Sequence, residues 1–143
     1  MLEYITNVGF LVVRQTNDLI SAGNKLGYNV ITFDTENGYN TTDFTYTIAL
    51  AGTYLFTLQV FVSNGVEMSV DLIRERAGVE TILQQITNGT NTGSNNSAYS
   101  LTTISEVLVG DLIYGYVSLG SVRLNLVNGT TQYGSFSGSR ISN

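Results

Sequence analysis

At 143 residues, the chain is long enough for one domain with a substantial core and too short for two domains of ordinary size. It carries 6 basic and 11 acidic residues, a net charge of −5 that argues against a nucleic-acid partner, because phosphates require a basic stripe. It has no His and no Cys, which excludes imidazole bases, thiol nucleophiles and the usual zinc sites.

Alternating apolar residues predict ten short β-strands and no helix of useful length. The clearest is Tyr54–Val62, where every second residue is large and apolar. The segment Leu19–Leu26 is too polar and glycine-broken to form a helix. In chain order, the predicted strands are Val8–Arg14, Asn29–Phe33, Phe44–Leu50, Tyr54–Val62, Met68–Arg74, Thr81–Ile86, Thr102–Val109, Leu112–Val117, Val122–Val127 and Gly134–Ile141.

The turns between these strands are rich in Asn-Gly steps, the strongest short hairpin signal. Four occur, at residues 37–38, 64–65, 88–89 and 128–129. Ten short strands at spacings near ten residues predict an all-β sandwich or jelly roll, and we expect one domain over residues 1–143.

No run of eighteen apolar residues is present, so we predict no membrane insertion. The first residues lack the basic and apolar regions of a signal peptide. If the protein is exported, we expect this chain to be a mature or excised domain.

Several short motifs follow one another along the chain, at Phe33–Thr35, Tyr39–Asn40, Ala51–Phe56, Leu108–Tyr114 and Ser135–Gly138. Together they resemble the signature of the complement C1q globular head domain, of the C1q/tumour necrosis factor superfamily, and the match covers about residues 8 to 141 in the expected order. The resemblance implies a ten-stranded jelly roll of the tumour-necrosis-factor type, assembled as a homotrimer. It also implies an extracellular module for pattern recognition, lectin-like and without catalysis.

Some relatives in this family bind calcium near the trimer axis through acidic loop residues. Here the loops Thr87–Ser97 and Asn128–Tyr133 contain no Asp or Glu. Calcium prefers several oxygen ligands that include carboxylates. We therefore predict no cofactor and no metal site, and calcium stays an open alternative whose acidic ligands are not evident.

A ligand on such a domain would meet polar and aromatic loop residues, and we select Tyr39, Asn40, Arg123 and Tyr133. Tyrosine stacks on apolar faces while offering a hydroxyl, and arginine pairs with carboxylates or sulfates. The expected ligand is a carbohydrate or a protein on a surface. Two alternatives stay open: Tyr39 as a core or interface residue, and Arg123 as an ordinary solvated strand residue.

Apolar residues on the outward-facing rows of the predicted strands give a physical reason to expect a trimer. Leu11, Val13, Leu55 and Phe61 lie opposite the best core rows, with few charges near them. Exposed apolar patches usually mark partner surfaces, and closed symmetry buries them. The alternative is a strand covered on both faces by its own chain.

Catalysis is not predicted. Asp34 and Glu36 are the one close pair of acids, and Gly134–Gly138 lacks the strand-to-helix setting of a serine nucleophile. The second functional hypothesis is therefore not an enzyme but a structural or adhesive trimeric head that caps a fibre or assembly and binds no small ligand.

Overall fold

The computed structural model describes residues 7–16, 18–63, 66–88, 97–128 and 130–143. Within these ranges the backbone forms thirteen β-strands and no helix, so nothing there could cross a bilayer as a helix. The strands are β1 (Gly9–Val13), β2 (Leu19–Ser21), β3 (Val30–Asp34), β4 (Tyr39–Asn40), β5 (Thr45–Thr47), β6 (Gly52–Val62), β7 (Met68–Arg76), β8 (Val79–Thr87), β9 (Ser97–Val107), β10 (Leu112–Arg123), β11 (Asn125–Asn128), β12 (Thr130–Tyr133) and β13 (Ser135–Ser142).

Eleven of these strands form the two antiparallel sheets of a sandwich, and β11 and β12 pair with each other as a separate two-stranded sheet. The first sheet has the order β3-β1-β13-β6-β9. The second sheet has the order β4-β5-β10-β7-β8. The end of β10 also pairs with β2 and, at Arg123, with Phe61 of β6, so this strand links the two sheets. Most adjacent strands are not consecutive in sequence, as in a jelly roll, and the all-β jelly-roll prediction is confirmed.

The core lies between the two sheets and is lined by the predicted apolar rows. Every second residue of β6 from Tyr54 to Val62 is fully buried. The ring centroids of Phe10 and Tyr46 stack 3.9 Å apart, and Phe136 meets Phe10 edge-on at 4.8 Å. Such aromatic pairs add to the stability that comes from removing their surfaces from water. Phe136, the aromatic residue between Ser135 and Ser137, therefore points into the core.

The described residues form thirteen strands instead of the ten predicted, and two of the differences show why. Val122–Val127 is not one strand, because the chain bends at Leu124 between β10 and β11. The polar segment after Arg14 contains the short strand β2, which the sequence pattern did not indicate. Both features depend on pairing with the distal end of β10, and pairing is invisible to local alternation.

The hairpin turns also differ. The strands β11 and β12, which flank the step at residues 128–129, pair with each other as a hairpin there would require, although Gly129 itself lies outside the described residues. Asn37 instead lies between β3 and β4, which pair with other strands. The tight hairpin between β7 and β8 turns at Ala77-Gly78, where both residues have positive φ (51° and 79°), as a type I′ turn requires. The step at 64–65 lies outside the described residues, as does Gly89.

Gly52 is the first residue of β6 and lies where the backbone of the end of β13 approaches closely. A Cβ at this residue would lie 2.5 Å from the carbonyl oxygen of Ser142. Arg140 closes the same end by donating to the carbonyl of Ala51 from Nε (3.0 Å) and from Nη2 (2.7 Å). This end of the sandwich therefore joins the start of β6 to the end of β13.

Candidate functional site

The outer face of the first sheet carries an apolar row that the core does not use. Because Phe10 and Val12 point inward, Leu11 and Val13 of β1 point outward, and both are half-buried. Leu55 of β6 lies on the same face and is also half-buried. The structure thus brings together three of the four residues predicted for the trimer interface.

Two residues that the sequence analysis missed extend this row to both edges. Phe33 of β3 pairs with Leu11 and is 50% exposed. Ile104 of β9 pairs with Leu55 and is 61% exposed. Their outward direction follows from strand register, which the sequence alone does not supply.

The polar residues of this face are neutral. Ser137 lies between Leu11 and Thr57, and Thr57 lies next to Thr102, with their hydroxyl oxygens 3.4 Å apart. The first charge on the β6–β9 part of the face is Glu106, opposite Thr53 at its end. We call this surface, defined by Leu11, Val13, Phe33, Leu55 and Ile104, the uncharged sheet face.

Phe61 does not belong to the uncharged sheet face, so its predicted place at a trimer interface is wrong. Its side chain is only 1% exposed. At this end of β6, Phe61 pairs with Arg123 of β10, and β11 packs alongside. The chain covers Phe61 itself, which is the alternative that the sequence analysis left open.

Tyr39 is a core residue, so the prediction that its ring meets a ligand is wrong. The side chain is 5% exposed, and its hydroxyl donates to the backbone carbonyl of Tyr28 at 2.8 Å. Its ring lies beside Phe10 and Phe136, each 6.4 Å away between centroids. Tyr39 therefore fixes the segment before β3 instead of presenting a surface.

Asn40 is exposed, but its side chain is occupied by the turn that follows it. Its Oδ1 accepts hydrogen bonds from the backbone N–H groups of Thr42 (2.8 Å) and Asp43 (3.0 Å). Its carbonyl accepts the N–H of Phe44 at 2.8 Å. This is the Asx-type turn that asparagine favours. This turn fixes the position of Phe44, a residue that was not among the predicted ligand contacts.

Arg123 lies at the end of β10, half-buried and paired with Leu19 of β2. Tyr133 ends β12, where its backbone pairs with Asn125 two residues beyond Arg123. The side chain of Tyr133 is outside the described part of the structure, so its ligand role stays a prediction. The two backbones approach each other, although the sequence separates them by ten residues.

The turn between β9 and β10 exposes two apolar residues on a rigid support. Leu108 is 53% exposed and Val109 is 67% exposed. Below them, the carboxylate of Asp111 accepts hydrogen bonds from Arg76 Nε (2.8 Å), Arg76 Nη2 (2.7 Å) and the N–H of Leu108 (2.8 Å). The hydrogen bonds from Arg76, and then that from Leu108, hold the pKa of Asp111 below its usual value.

The described residues offer no catalytic or metal-binding constellation. Asp34, from the one close acid pair, accepts the backbone N–H of Tyr39 at 2.8 Å. Burial raises the pKa of Tyr28, Tyr39 and Tyr46, so these phenols stay protonated at neutral pH. In the part of the chain that the structure describes, no three His, Cys, Asp or Glu side chains cluster as a metal centre would need.

Comparisons with known proteins agree with this architecture. Residues 9–138 match the family model of the C1q domain. The fold is similar to the globular domain of zebrafish complement 1qA protein, with a TM-score of 0.75 at 18% identity over 96% of this chain and 100% of that one. It is also similar to the Eiger TNF of S. frugiperda, with a TM-score of 0.74 at 10% identity over 96% and 94%.

A third similar structure is murine APRIL at pH 5.0, with a TM-score of 0.68 at 15% identity over 95% of this chain and 100% of that chain. No curated protein sequence matches the chain. At these identities the structural likenesses show the fold, whereas the family model assigns the sequence.

Proposed function

The chain belongs to the C1q domain family, and from this premise we propose that it is a non-enzymatic, extracellular recognition module that works as a homotrimer. Domains of this family are generally non-enzymatic and typically extracellular. Members of the C1q/TNF superfamily form trimers and bind protein ligands. For this chain, the ligand is a carbohydrate or protein displayed on a surface.

The observation that supports the trimer is the uncharged sheet face. Phe33 and Ile104 expose half or more of their side chains at opposite edges of one sheet. An isolated domain would leave this apolar row in water, at a cost of about 25 cal/mol for each Å². A ring of three copies buries the edge of one protomer against the sheet of the next, and it closes without leaving a free patch.

The test is the mass of the protein in solution, measured by size-exclusion chromatography with light scattering. We expect a mass near three chains at micromolar concentration. Phe33→Asp places a carboxylate in the proposed interface and should give a monomer, because an unpaired buried charge is strongly unfavourable. Leu119→Asp is the matched control, since Leu119 is similarly exposed (49%) on β10 of the other sheet. A wild-type monomer defeats the proposal.

The runner-up is a structural or adhesive head with no small ligand, and it shares the same trimer. The exposed Leu108–Val109 turn favours it, because a rigid apolar turn can pack against a larger assembly. Binding of the trimer to a glycan array or to bacterial cells separates the two functions. Reproducible binding supports recognition, and its absence with an intact trimer supports the structural role.

A further inference from the structure

A polar groove opens where the end of β1 meets β2 and the turn before β5. It encloses roughly 390 Å³. This volume lies within the range of small-ligand sites. None of its lining residues belongs to the uncharged sheet face, so trimer formation through that face does not use them. The residues that matter to its chemistry are Arg14, Asp18, Ser21, Asn24, Lys25 and Phe44.

One wall of the groove is an aromatic ring held in an unusual backbone conformation. Phe44 has φ of 59°, a region that bulky residues rarely occupy. The turn organised by Asn40 supports this conformation. The ring packs so closely on Gly27 that a Cβ there would lie 3.0 Å from its Cζ atom. Strained positions of this kind concentrate at functional sites.

The other walls concentrate positive charge in a protein whose net charge is −5. Arg14 and Lys25 line the groove, and Arg123 lies beside it through its pairing with Leu19. These are three of the 6 basic residues of the chain. Asp18 is the one carboxylate among the described lining residues, and it is bound by Arg14.

The two cations of the lining, Arg14 and Lys25, differ in how many of their hydrogen-bond donors are already used within the protein. Arg14 is committed, because its Nη1 donates to the carbonyl of Gly27 at 2.6 Å and its other nitrogens bind Asp18. Lys25 places its ammonium 4.8 Å from the centroid of the Tyr114 ring. Among the described residues it has no carboxylate partner. Lys25 can therefore donate to an anion that enters the groove.

Asp18 is ionised at neutral pH. Its pKa lies below the usual value, first through the hydrogen bond from Thr16 and then through that from Arg14, with a smaller share from the charge of Arg123. Its charge offsets that of Arg14, so Lys25 supplies the net positive charge of the described lining.

We propose that this groove binds an acidic saccharide, a pyranose that carries a carboxylate or a sulfate group. Lys25 binds the anionic group, Phe44 stacks against the apolar face of the ring, and Ser21 and Asn24 orient the hydroxyls. Charge complementarity selects the anion, and the aromatic wall selects a sugar ring over an extended acidic peptide. The assignment rests on the proposed recognition function and names its ligand class.

The experiment is an NMR titration of the isotopically labelled protein with single sugars. The probes are glucuronate, galacturonate, sialic acid and glucosamine 6-sulfate, each beside a neutral parent or ester of the same ring. Inorganic sulfate and a tetraglutamate peptide are the two competitors. We expect saturable shifts at the amides of Lys25 and Phe44 with at least one acidic sugar. The neutral counterpart should bind about tenfold more weakly.

Two pairs of variants separate charge from stacking. Lys25→Gln should remove the preference for the acidic sugar over its neutral counterpart, whereas Lys25→Arg should keep affinity within about twofold because the charge is retained. Phe44→Leu should weaken both sugars, and Phe44→Tyr should preserve both. Thermal midpoints of all four variants show whether each is folded before its affinity is compared.

The proposal is overturned if no acidic sugar shifts the groove amides more than its neutral counterpart. It is also overturned if inorganic sulfate or the peptide binds as well as the best sugar. Binding of the trimer to a glycan array that survives Lys25→Gln unchanged would reject the groove while leaving the recognition function in place. A monomer that still binds acidic sugar here would reject the trimer alone.

Discussion

At the scale of single residues, Asp111 shows how a surface turn can depend on one buried carboxylate. Its side chain is 2% exposed, and it accepts hydrogen bonds from Arg76 and from the backbone of Leu108. Gly110, with φ of 91°, completes the turn, in which the N–H of Asp111 donates to the carbonyl of Leu108 at 3.1 Å. Positive φ at this position of a turn is accessible to glycine at little cost.

We predict that Asp111→Asn lowers the free energy of unfolding by about 1.5–3 kcal/mol at neutral pH, the range for hydrogen bonds to a charged group. The pKa of Asp111 is lowered in the folded protein from the usual 3.8. Its contribution is therefore complete above that value and is lost as the pH falls through the folded pKa. Urea midpoints at pH 7 and below pH 3 should show the wild type losing its advantage in acid.

Asp18→Asn is the control for this prediction. Asp18 also pairs with an arginine and also has a lowered pKa, but half of its side chain is exposed. Exposed ion pairs contribute little to stability. A larger loss from Asp18→Asn than from Asp111→Asn would contradict the role given to Asp111.

At the scale of elements, the hairpin of β7 and β8 has an alanine, Ala77, at a turn position where asparagine is favoured. Ala77 and Gly78 both have positive φ, and a type I′ turn of this kind favours Asn-Gly. For an L-residue with a Cβ, left-handed backbone costs about 1–2 kcal/mol of conformational energy, and for asparagine the cost is smaller. The sequence has four Asn-Gly steps elsewhere, but the hairpin of β7 and β8 does not use one.

We expect Ala77→Asn to raise the free energy of unfolding by about 1 kcal/mol, because it relieves this conformational cost without touching the core. Ala77→Val should act in the opposite direction, since a β-branched residue is least suited to positive φ. Both changes are read from urea unfolding curves with unchanged slopes. A destabilised Ala77→Asn protein would mean that the turn is not under strain.

The same scale explains how much the sequence could predict. Alternation in β6 or β7 is a local property, so these strands were predicted nearly to their ends. Strands of two or three residues, such as β2 and β4, form because a partner strand is present. The inward position of Tyr39 and the covered position of Phe61 also depend on distant segments. Local patterns contain no information about either.

The candidate sites follow this rule. Leu11, Val13 and Leu55 were found because a core row implies an opposite row. Phe33 and Ile104 needed the register between strands, and the sequence does not state which strands pair. The groove is lined by Arg14, Lys25 and Phe44, which come from three separate segments, so no contiguous sequence motif predicts it. Two of the predicted ligand residues contact its lining through the backbone: Arg123 pairs with Leu19, and the carbonyl of Asn40 accepts the N–H of Phe44.

At the scale of the whole molecule, two surfaces work by different physics. The uncharged sheet face offers apolar area and neutral hydroxyls, so association through it depends on removing surface from water. The groove gathers cations, so its attraction for an anion is electrostatic. Salt screens charges over a Debye length of about 10 Å at 0.1 M but leaves the hydrophobic effect intact. The two surfaces should therefore respond differently to ionic strength.

We predict that raising sodium chloride from about 0.02 M to about 0.5 M weakens the binding of an acidic sugar several-fold and leaves the trimer mass unchanged. Neutral sugars should bind equally at both salt concentrations, because stacking on Phe44 involves no net charge. The sugar affinity is measured by NMR titration and the mass by light scattering on the same samples. Dissociation of the trimer in high salt would show that its interface contains ion pairs, and the uncharged sheet face would then be the wrong surface. An acidic-sugar affinity that ignores salt would show that Lys25 does not meet the anion, because a charge pair at a half-exposed site is always screened in part.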